Sequence, residues 1–171
     1  MTPAAPGTVD LTPYADLTPD RILDAVESLG ARSDGRVLAL NSYENRVYRV
    51  GMEDGPALVA KFYRPGRWSD AAIGEEHAFS AQLLAADLSV VAPLAFDGRT
   101  LHPFEGHRFA LFPLRGGHAP EPGDRDTLRH IGRVLGRMHA VGDGERYLHR
   151  GHLGIDRHGP DPVDYLLDTQ C

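Results

Sequence analysis

The sequence contains a single cysteine, Cys171, which is also its last residue. One thiol cannot form an intrachain disulfide, and cysteine-poor chains of this kind are typical of reducing compartments, so we expect a cytoplasmic location. The stretch 1–19 has no Lys or Arg and no apolar core segment, so we expect no secretory signal. No apolar run reaches the roughly eighteen residues of a membrane span, so no membrane association is expected.

The sequence also has fewer basic residues than acidic ones, 18 against 24. The formal net charge of the 171 residues is −6 and the pI is about 5.8, which argues against nucleic acid as the main partner. Apolar residues make up 42% of the chain, enough for one packed domain, or one domain and the start of another. We expect a monomer.

The pattern of apolar residues predicts a mixed fold. After a flexible lead-in over 1–17, Thr18 and Pro19 mark the start of a helix that Gly30 closes. The further elements are strands at 37–40, 46–50 and 57–63, a helix over 69–86, strands at 90–95 and 107–112, and a helix over 124–141.

This order predicts an α+β fold with an antiparallel five-stranded sheet that carries one long helix. Pro and Gly residues after residue 112 mark the best domain boundary. We therefore expect a sheet domain over 18–113, a linker over 114–123 and the start of a helical domain over 124–171. Because apolar residues continue to the end of the chain, this last domain is expected to be truncated.

Two charged residues fall where apolar neighbours predict burial. Lys61 lies in the middle of an apolar strand, and Glu76 falls within the apolar stripe of the helix that follows. An unpaired buried charge is costly, so the pattern predicts a Lys61–Glu76 ion pair. Two alternatives remain open: a solvated lysine on an exposed sheet face, and a purely structural salt bridge. A lysine held by a helix carboxylate beneath a hairpin loop is how protein kinases bind the phosphates of ATP.

Two further segments fit a nucleotide site. The loop Asn41–Arg46 would cover the phosphates with Asn41, Ser42 and Tyr43. It lacks the G-x-G-x-x-G pattern, and an ordinary hairpin turn stays open as the alternative. The apolar strand that ends with Phe112 leads through Pro113 to Leu114, where a kinase would hold adenine.

Longer strings then carry a family resemblance. The segments 40–48 and 59–68, the run Glu75–His77 and the segments 92–98 and 132–139 closely resemble the stress response kinase A family of bacterial Ser/Thr protein kinases. That family shares the aminoglycoside phosphotransferase and choline kinase-like fold. The resemblance implies ATP and Mg²⁺ as cofactors and a protein substrate, with Ser42 near the phosphates, Lys61 as the phosphate-binding lysine and Glu76 as its partner.

The catalytic residues of such a kinase are missing from the sequence. The family motif resembles H-G-D-x-H-x-x-N, yet no asparagine follows Asn45, and the segment 152–156 has the wrong spacing. We expect no catalytic residue and no metal ligand within this chain, and place the catalytic Asp beyond Cys171. The chain alone is then expected to be inactive.

Other functions stay open at this point. The chain could be a non-catalytic nucleotide-binding or interaction module, or part of a small-molecule kinase that acts on an aminoglycoside, choline or homoserine. A metal site at His149, His152 and His158 is disfavoured because the spacing matches no usual zinc motif.

Overall fold

The computed structural model describes residues 13–117, 119–121, 123–144, 146–151, 154–155 and 159–169. Its strands are β1 (Ser33–Leu40), β2 (Arg46–Met52), β3 (Leu58–Tyr63), β4 (His102–Phe104) and β5 (His107–Pro113). Its helices include α1 (Pro19–Glu27), α2 (Asp70–Ala85), α3 (Arg125–Gly142) and α4 (Pro160–Thr169). The strands form one antiparallel sheet in the order β1-β2-β3-β5-β4, so the predicted α+β architecture and the five-stranded sheet are confirmed.

Local capping chemistry fixes where the helices begin. The side chain of Thr18 accepts a hydrogen bond from the amide of Arg21, and Pro19 occupies the first turn of α1, as the sequence predicts. Ser69 caps α2 in the same way by accepting from the amide of Ala72. Beyond α1 the chain turns at Gly30, whose φ of +81° is a conformation that a side chain would strain.

The two faces of the sheet pack against different helices. One face presents Val50, Ala60, Phe62, Phe109 and Leu111 to α1, and the rings of Phe62 and Phe109 stack with their centroids 5.4 Å apart. Burying each of these large side chains contributes about 1.5–3 kcal/mol. Alternate residues of the same strands point the other way, so Lys61, Tyr63 and Ala110 face α2. The second face therefore forms the floor of a cleft.

The segment ahead of α1 joins the first of these cores. Leu17 is buried in it, and Tyr14 packs against it. Residues 1–12 of the expected lead-in lie outside the described part of the chain, so the proposed boundary at residue 17 stays a prediction.

The expected strand at 90–95 is wrong. These residues form no strand, although the amide of Leu94 donates to the carbonyl of Leu111 at 2.7 Å. Pro93 has no amide hydrogen, which prevents a continuous ladder at this point. The fifth strand is instead β4, which the sequence analysis missed because His102–Phe104 spans three residues and contains Pro103.

Side-chain contacts to backbone atoms hold the C-terminal segment, which comprises α3 and residues 146–151, against α2. Arg137 of α3 donates to the carbonyl of Ala86 at 2.7 Å and to that of Asp87 at 3.2 Å. The expected apolar face of α3 is only partly covered: no described residue of this helix is buried, and Leu128 and Leu135 are about half exposed. None of the helices that the structure describes is long and apolar enough to span a bilayer.

Candidate functional site

A cleft of about 430 Å³ opens between the second face of the sheet and α2. Four of the seven residues expected to bind a nucleotide line it: Lys61, Glu76, Phe112 and Leu114. The remaining lining is largely apolar and includes Leu40, Val47, Val59, Val91 and Pro113. The cleft thus combines an apolar wall with three charged side chains, Lys61, Glu76 and Arg115, and a few polar groups in a largely apolar pocket are the usual character of a small-molecule site.

The register of the sheet explains how Lys61 reaches the cleft. Leu40 pairs with Val47, and Val47 pairs with Lys61, so the three side chains stand in one row on the same face. Nζ of Lys61 lies 4.6 Å from the centroid of the Tyr63 ring. Lys61 is the only lysine of the sequence, and the other seventeen basic residues are arginines.

The predicted ion pair is present. Nζ of Lys61 donates to Oε1 of Glu76 at 2.9 Å, and Arg150 binds the other carboxylate oxygen. Burial raises the pKa of Glu76, but the hydrogen bond and charge of Lys61 and the charge of Arg150 outweigh it, so the pKa falls below its usual value. Glu76 therefore stays ionised and can hold Lys61 in a fixed position.

Beneath the ion pair, His77 is buried and bonded at both ring nitrogens. Nε2 lies 2.7 Å from the hydroxyl of Tyr63, and Nδ1 lies 2.7 Å from the hydroxyl of Thr100. Burial lowers the pKa of His77 against the opposing effect of the Glu76 carboxylate, and burial raises the pKa of Tyr63. Both side chains are thus kept neutral, and their hydrogen bond joins β3 to α2.

The loop between β1 and β2 carries the other three predicted residues. Asn41, Ser42 and Tyr43 are exposed and follow Leu40 at the edge of the cleft, and Tyr43 is exposed over its whole side chain. None of these three residues is among those that line the cleft. Their contact with a nucleotide therefore stays a prediction.

A brace of hydrogen bonds lies at the far end of this loop. The Glu44 carboxylate accepts from Nε of Arg67 at 2.9 Å and from Nε1 of Trp68 at 3.1 Å. The side-chain oxygen of Asn45 accepts from the amide of Arg64 at 3.2 Å. The side chains of Glu44 and Asn45 therefore attach the loop to the segment 64–68.

Three residues around the ion pair, Glu75, Trp68 and Arg150, were not predicted from the sequence. The Glu75 carboxylate accepts hydrogen bonds from the backbone amides of Leu148, His149 and Arg150 at 2.6–3.1 Å. The guanidinium of Arg150 lies 4.7 Å from the centroid of the Trp68 ring. A carboxylate beside Glu76 and a lone Trp in a Pro/Gly turn were visible in the sequence, but no periodic pattern links Arg150 to α2.

The described residues do not provide a metal site. Among them no three His, Cys, Asp or Glu residues come together in a way that could hold a metal ion. The backbone amide of His149 binds Glu75. His152, Asp156 and His158, which entered the metal hypothesis and the motif comparison, lie outside the described residues.

Comparison with protein families places residues 36–168 in the family described as "Phosphotransferase enzyme family". The chain is 43% identical over 156 residues to "Stress response kinase A" of Escherichia coli (strain K12), which covers 91% of this chain and 48% of that protein. It is 40% identical over the same length to "Serine/threonine protein kinase RdoA" of Salmonella typhimurium, again with 91% and 48% covered. The chain spans about half the length of the curated relatives it matches.

Solved structures show the same fold. The amicoumacin kinase hAmiN in complex with AMP-PNP, Ca²⁺ and Ami matches with a TM-score of 0.65 and 20% identity, over 75% of this chain and 41% of that one. The microcompartment-associated aminopropanol kinase matches with a TM-score of 0.61 and 20% identity, over 83% and 48%. At this identity the likeness concerns the kinase-like fold alone.

Proposed function

Because this chain belongs to the phosphotransferase enzyme family, we propose that it is the ATP-binding portion of a Ser/Thr protein kinase of the stress response kinase A type. In the full-length protein, the γ-phosphate of ATP would pass to a Ser or Thr hydroxyl of a protein substrate. The observation that carries this function is the Lys61–Glu76 ion pair, 2.9 Å long, at the floor of a largely apolar cleft. Structural salt bridges alone do not require such a cleft.

Each part of the cleft has a role in this proposal. Lys61 would bind the α- and β-phosphates, and Glu76 would hold the lysine in place. Phe112 and Leu114 would contact adenine at the linker, while Asn41, Ser42 and Tyr43 would close over the phosphates. A sheet domain over 18–113, a linker over 114–123 and a helical domain from 124 onward correspond to this division.

Phosphoryl transfer needs more than these residues provide. Kinases bind Mg²⁺ through an Asn and an Asp, yet no asparagine follows Asn45 and no metal-binding cluster occurs in the described ranges. The residues that the structure describes therefore do not fit Mg²⁺, and no chemical step passes through them. The catalytic Asp and the metal ligands would come from the part of a longer protein that the relatives possess and this chain does not match.

The names of the relatives support the proposed acceptor. Those at 40–43% identity carry the names of a stress response kinase and a Ser/Thr protein kinase, which supports a protein acceptor. Kinases of small molecules share the fold at 20% identity, so a small-molecule acceptor is the alternative. A monomer in the cytoplasm, which binds neither nucleic acid nor membrane, completes the proposal.

Binding of ATP is the first test. Calorimetric titration of the purified chain should detect weak ATP binding, and Lys61→Ala should weaken it at least about tenfold, because a charged hydrogen bond contributes about 1.5–3 kcal/mol. An ATP analogue with a lysine-reactive acyl phosphate should label Lys61, and excess ATP should protect it. Labelling that excess ATP does not reduce would contradict an ATP site at the ion pair.

The absence of transfer activity is the second test. With radiolabelled ATP and Mg²⁺, the purified chain should incorporate no phosphate into itself or into a general protein substrate. Incorporation that Lys61→Ala abolishes would show that these 171 residues contain a complete active site. ATP binding without transfer, even after fusion to the C-terminal half of a relative, would favour the non-catalytic module.

A further inference from the structure

Glu76 is shared between two cations that approach from different parts of the chain. Lys61 comes from the central strand β3 and binds Oε1 at 2.9 Å, whereas Arg150 comes from the segment after α3 and binds Oε2. All three side chains are between one-fifth and one-third exposed, so solvent screens their charges only in part. The carboxylate therefore has both of its oxygens occupied by cations.

Arg150 is itself held on three sides. Its backbone amide donates to Glu75 at 3.0 Å, and its Nε donates to the carbonyl of Ala72 at 3.2 Å. Its guanidinium lies over the ring of Trp68, 4.7 Å from the centroid. A planar guanidinium fixed by hydrogen bonds and by ring stacking has little freedom, so its charge is directed at Glu76.

The charges of Lys61, Glu76 and Arg150, which form a triad, favour an anion in the cleft. A Lys–Glu pair by itself is neutral, and its carboxylate cancels much of the lysine's attraction for phosphate. Arg150 brings the total charge to +1, and it occupies the carboxylate oxygen that Lys61 does not use. Lys61 can then turn two of its three ammonium hydrogens toward a phosphate while it keeps Glu76 as its anchor.

The same arginine also touches the brace of the loop. Trp68, under the guanidinium of Arg150, donates to the Glu44 carboxylate at 3.1 Å. One continuous set of contacts thus runs from Glu44 through Trp68 and Arg150 to Glu76 and Lys61. The loop and the phosphate-binding lysine are tied together through a residue of the C-terminal segment.

We propose that Arg150 is a positioning residue for the phosphates of the bound nucleotide, because it neutralises Glu76 from the side opposite Lys61 and fixes Trp68 beneath the loop. This role rests on the proposed ATP-binding function. A purely structural tie between the C-terminal segment and α2 would support the adenine and phosphate portions of the cleft equally. The positioning role instead acts on the phosphates alone.

The test compares ATP with adenosine on the full chain. Arg150→Gln should weaken ATP binding about tenfold, the loss expected for one charged interaction, and should change adenosine binding less than about twofold. In a Glu76→Gln background the same substitution should have a much smaller effect on ATP, because no carboxylate is left to neutralise. Calorimetric titration measures both ligands.

Arg137→Gln is the matched control. Arg137 also ties the C-terminal segment to the end of α2, through the carbonyls of Ala86 and Asp87, but it does not contact the triad. This variant should bind ATP and adenosine like the unaltered chain. Equal weakening of both ligands by Arg150→Gln, or an equal effect of Arg137→Gln on ATP, would overturn the positioning role.

Two measurements keep the outcome decisive. If Arg150→Gln does not fold, Arg150→Lys replaces it as a variant that keeps the positive charge. An ATP affinity of this variant within about threefold of the parent would support the positioning role. A loss of affinity that adenosine shares would overturn it. ATP binding that needs Lys61 but not Arg150 would refute this inference and leave the proposed function standing. No ATP binding by the unaltered chain would overturn both.

Discussion

Burial opposes ionisation at three side chains in and beside the cleft, Glu76, His77 and Tyr63, and nearby charges decide the direction in which each pKa moves. Glu76 keeps a lowered pKa because Lys61 and Arg150 outweigh its burial. His77 has no comparable pair of opposite charges, so burial lowers its pKa, and burial raises that of Tyr63. An ionised side chain, Glu76, and a neutral one, His77, are therefore neighbours on α2.

The neutral state of His77 predicts a pH-dependent stability. Its folded pKa lies below the ordinary value of 6.5, so between the two values the unfolded chain binds more protons. The free energy of unfolding should therefore fall as the pH drops below about 6.5, by at most about 1.4 kcal/mol per pH unit for this one proton. Urea unfolding followed across this range measures the slope.

His77→Gln should flatten that slope, because the amide can bond Tyr63 and Thr100 without titrating. Burial also lowers the pKa of His102, so part of the slope should remain. The surface variant His130→Gln removes a histidine without touching either buried ring and serves as the control. An unchanged slope in His77→Gln would mean that other groups produce the acid sensitivity.

Single residues were predictable from the sequence where their burial conflicted with their charge. Lys61 in an apolar strand and Glu76 in an apolar helix stripe pointed to each other, and the structure joins them. Arg150 was not predictable, because arginine on a polar segment conflicts with nothing locally. Its contact with Glu76 depends on how the chain returns to α2 after a further helix.

At the scale of elements, α2 connects most of the site. Ile73 and Leu83 are buried, but the apolar Leu84 is exposed and the polar His77 is buried. The helix packs on the sheet along one side and meets the segment 146–151 along another, so Glu75 and Glu76 both find partners. A helix in contact on two sides does not show a simple apolar stripe.

The cap of α2 gives a prediction at this scale. Ser69→Ala removes the acceptor of the Ala72 amide and should lower the free energy of unfolding by about 1 kcal/mol. Ser69→Asp keeps an acceptor and adds a charge that suits a helix N-terminus, so it should retain the parent's stability. Chemical unfolding followed by circular dichroism measures both. A loss in Ser69→Asp as large as in Ser69→Ala would argue against capping as the cause.

The elements were predictable to the degree that their signals are local. Thr18 and Ser69 mark helix starts through their own hydrogen bonds, so the helix bounds were found within a residue or two. Strand pairing is not local, which is why the apolar run at 90–95 was mistaken for a strand. The antiparallel order followed from short hairpins, whereas the pairing of β3 with β5 required the whole sheet.

Across the whole molecule, a small number of polar contacts join the C-terminal segment to the sheet domain. Arg137 bonds carbonyls at the end of α2, and Glu75 bonds amides at 148–150. Apolar packing contributes less here, since α3 has no buried residue in the described ranges. The sequence predicted the amphipathic pattern of α3 but not how much of its apolar face stays exposed.

These contacts predict how the two parts move. The double variant Glu75→Ala, Arg137→Ala should increase hydrogen exchange at the amides of α3 and of 148–150, because their anchors on α2 are gone. Exchange in β3 and β5 should stay as in the parent, since the sheet keeps its own ladder. Hydrogen-exchange mass spectrometry resolves these segments. Arg129→Ala, which removes a bond within α3, is the control.

The position of the only lysine has one more consequence. Lys61 lies in β3, between β2 and β5, and the next residue, Phe62, is fully buried. An endoprotease that cuts only after lysine therefore has a single target in the chain, in the middle of the sheet. Digestion into fragments 1–61 and 62–171 can proceed only from molecules whose sheet has opened. The digestion rate therefore reports the population of opened molecules without any added label. A ligand that binds the folded chain should slow the digestion.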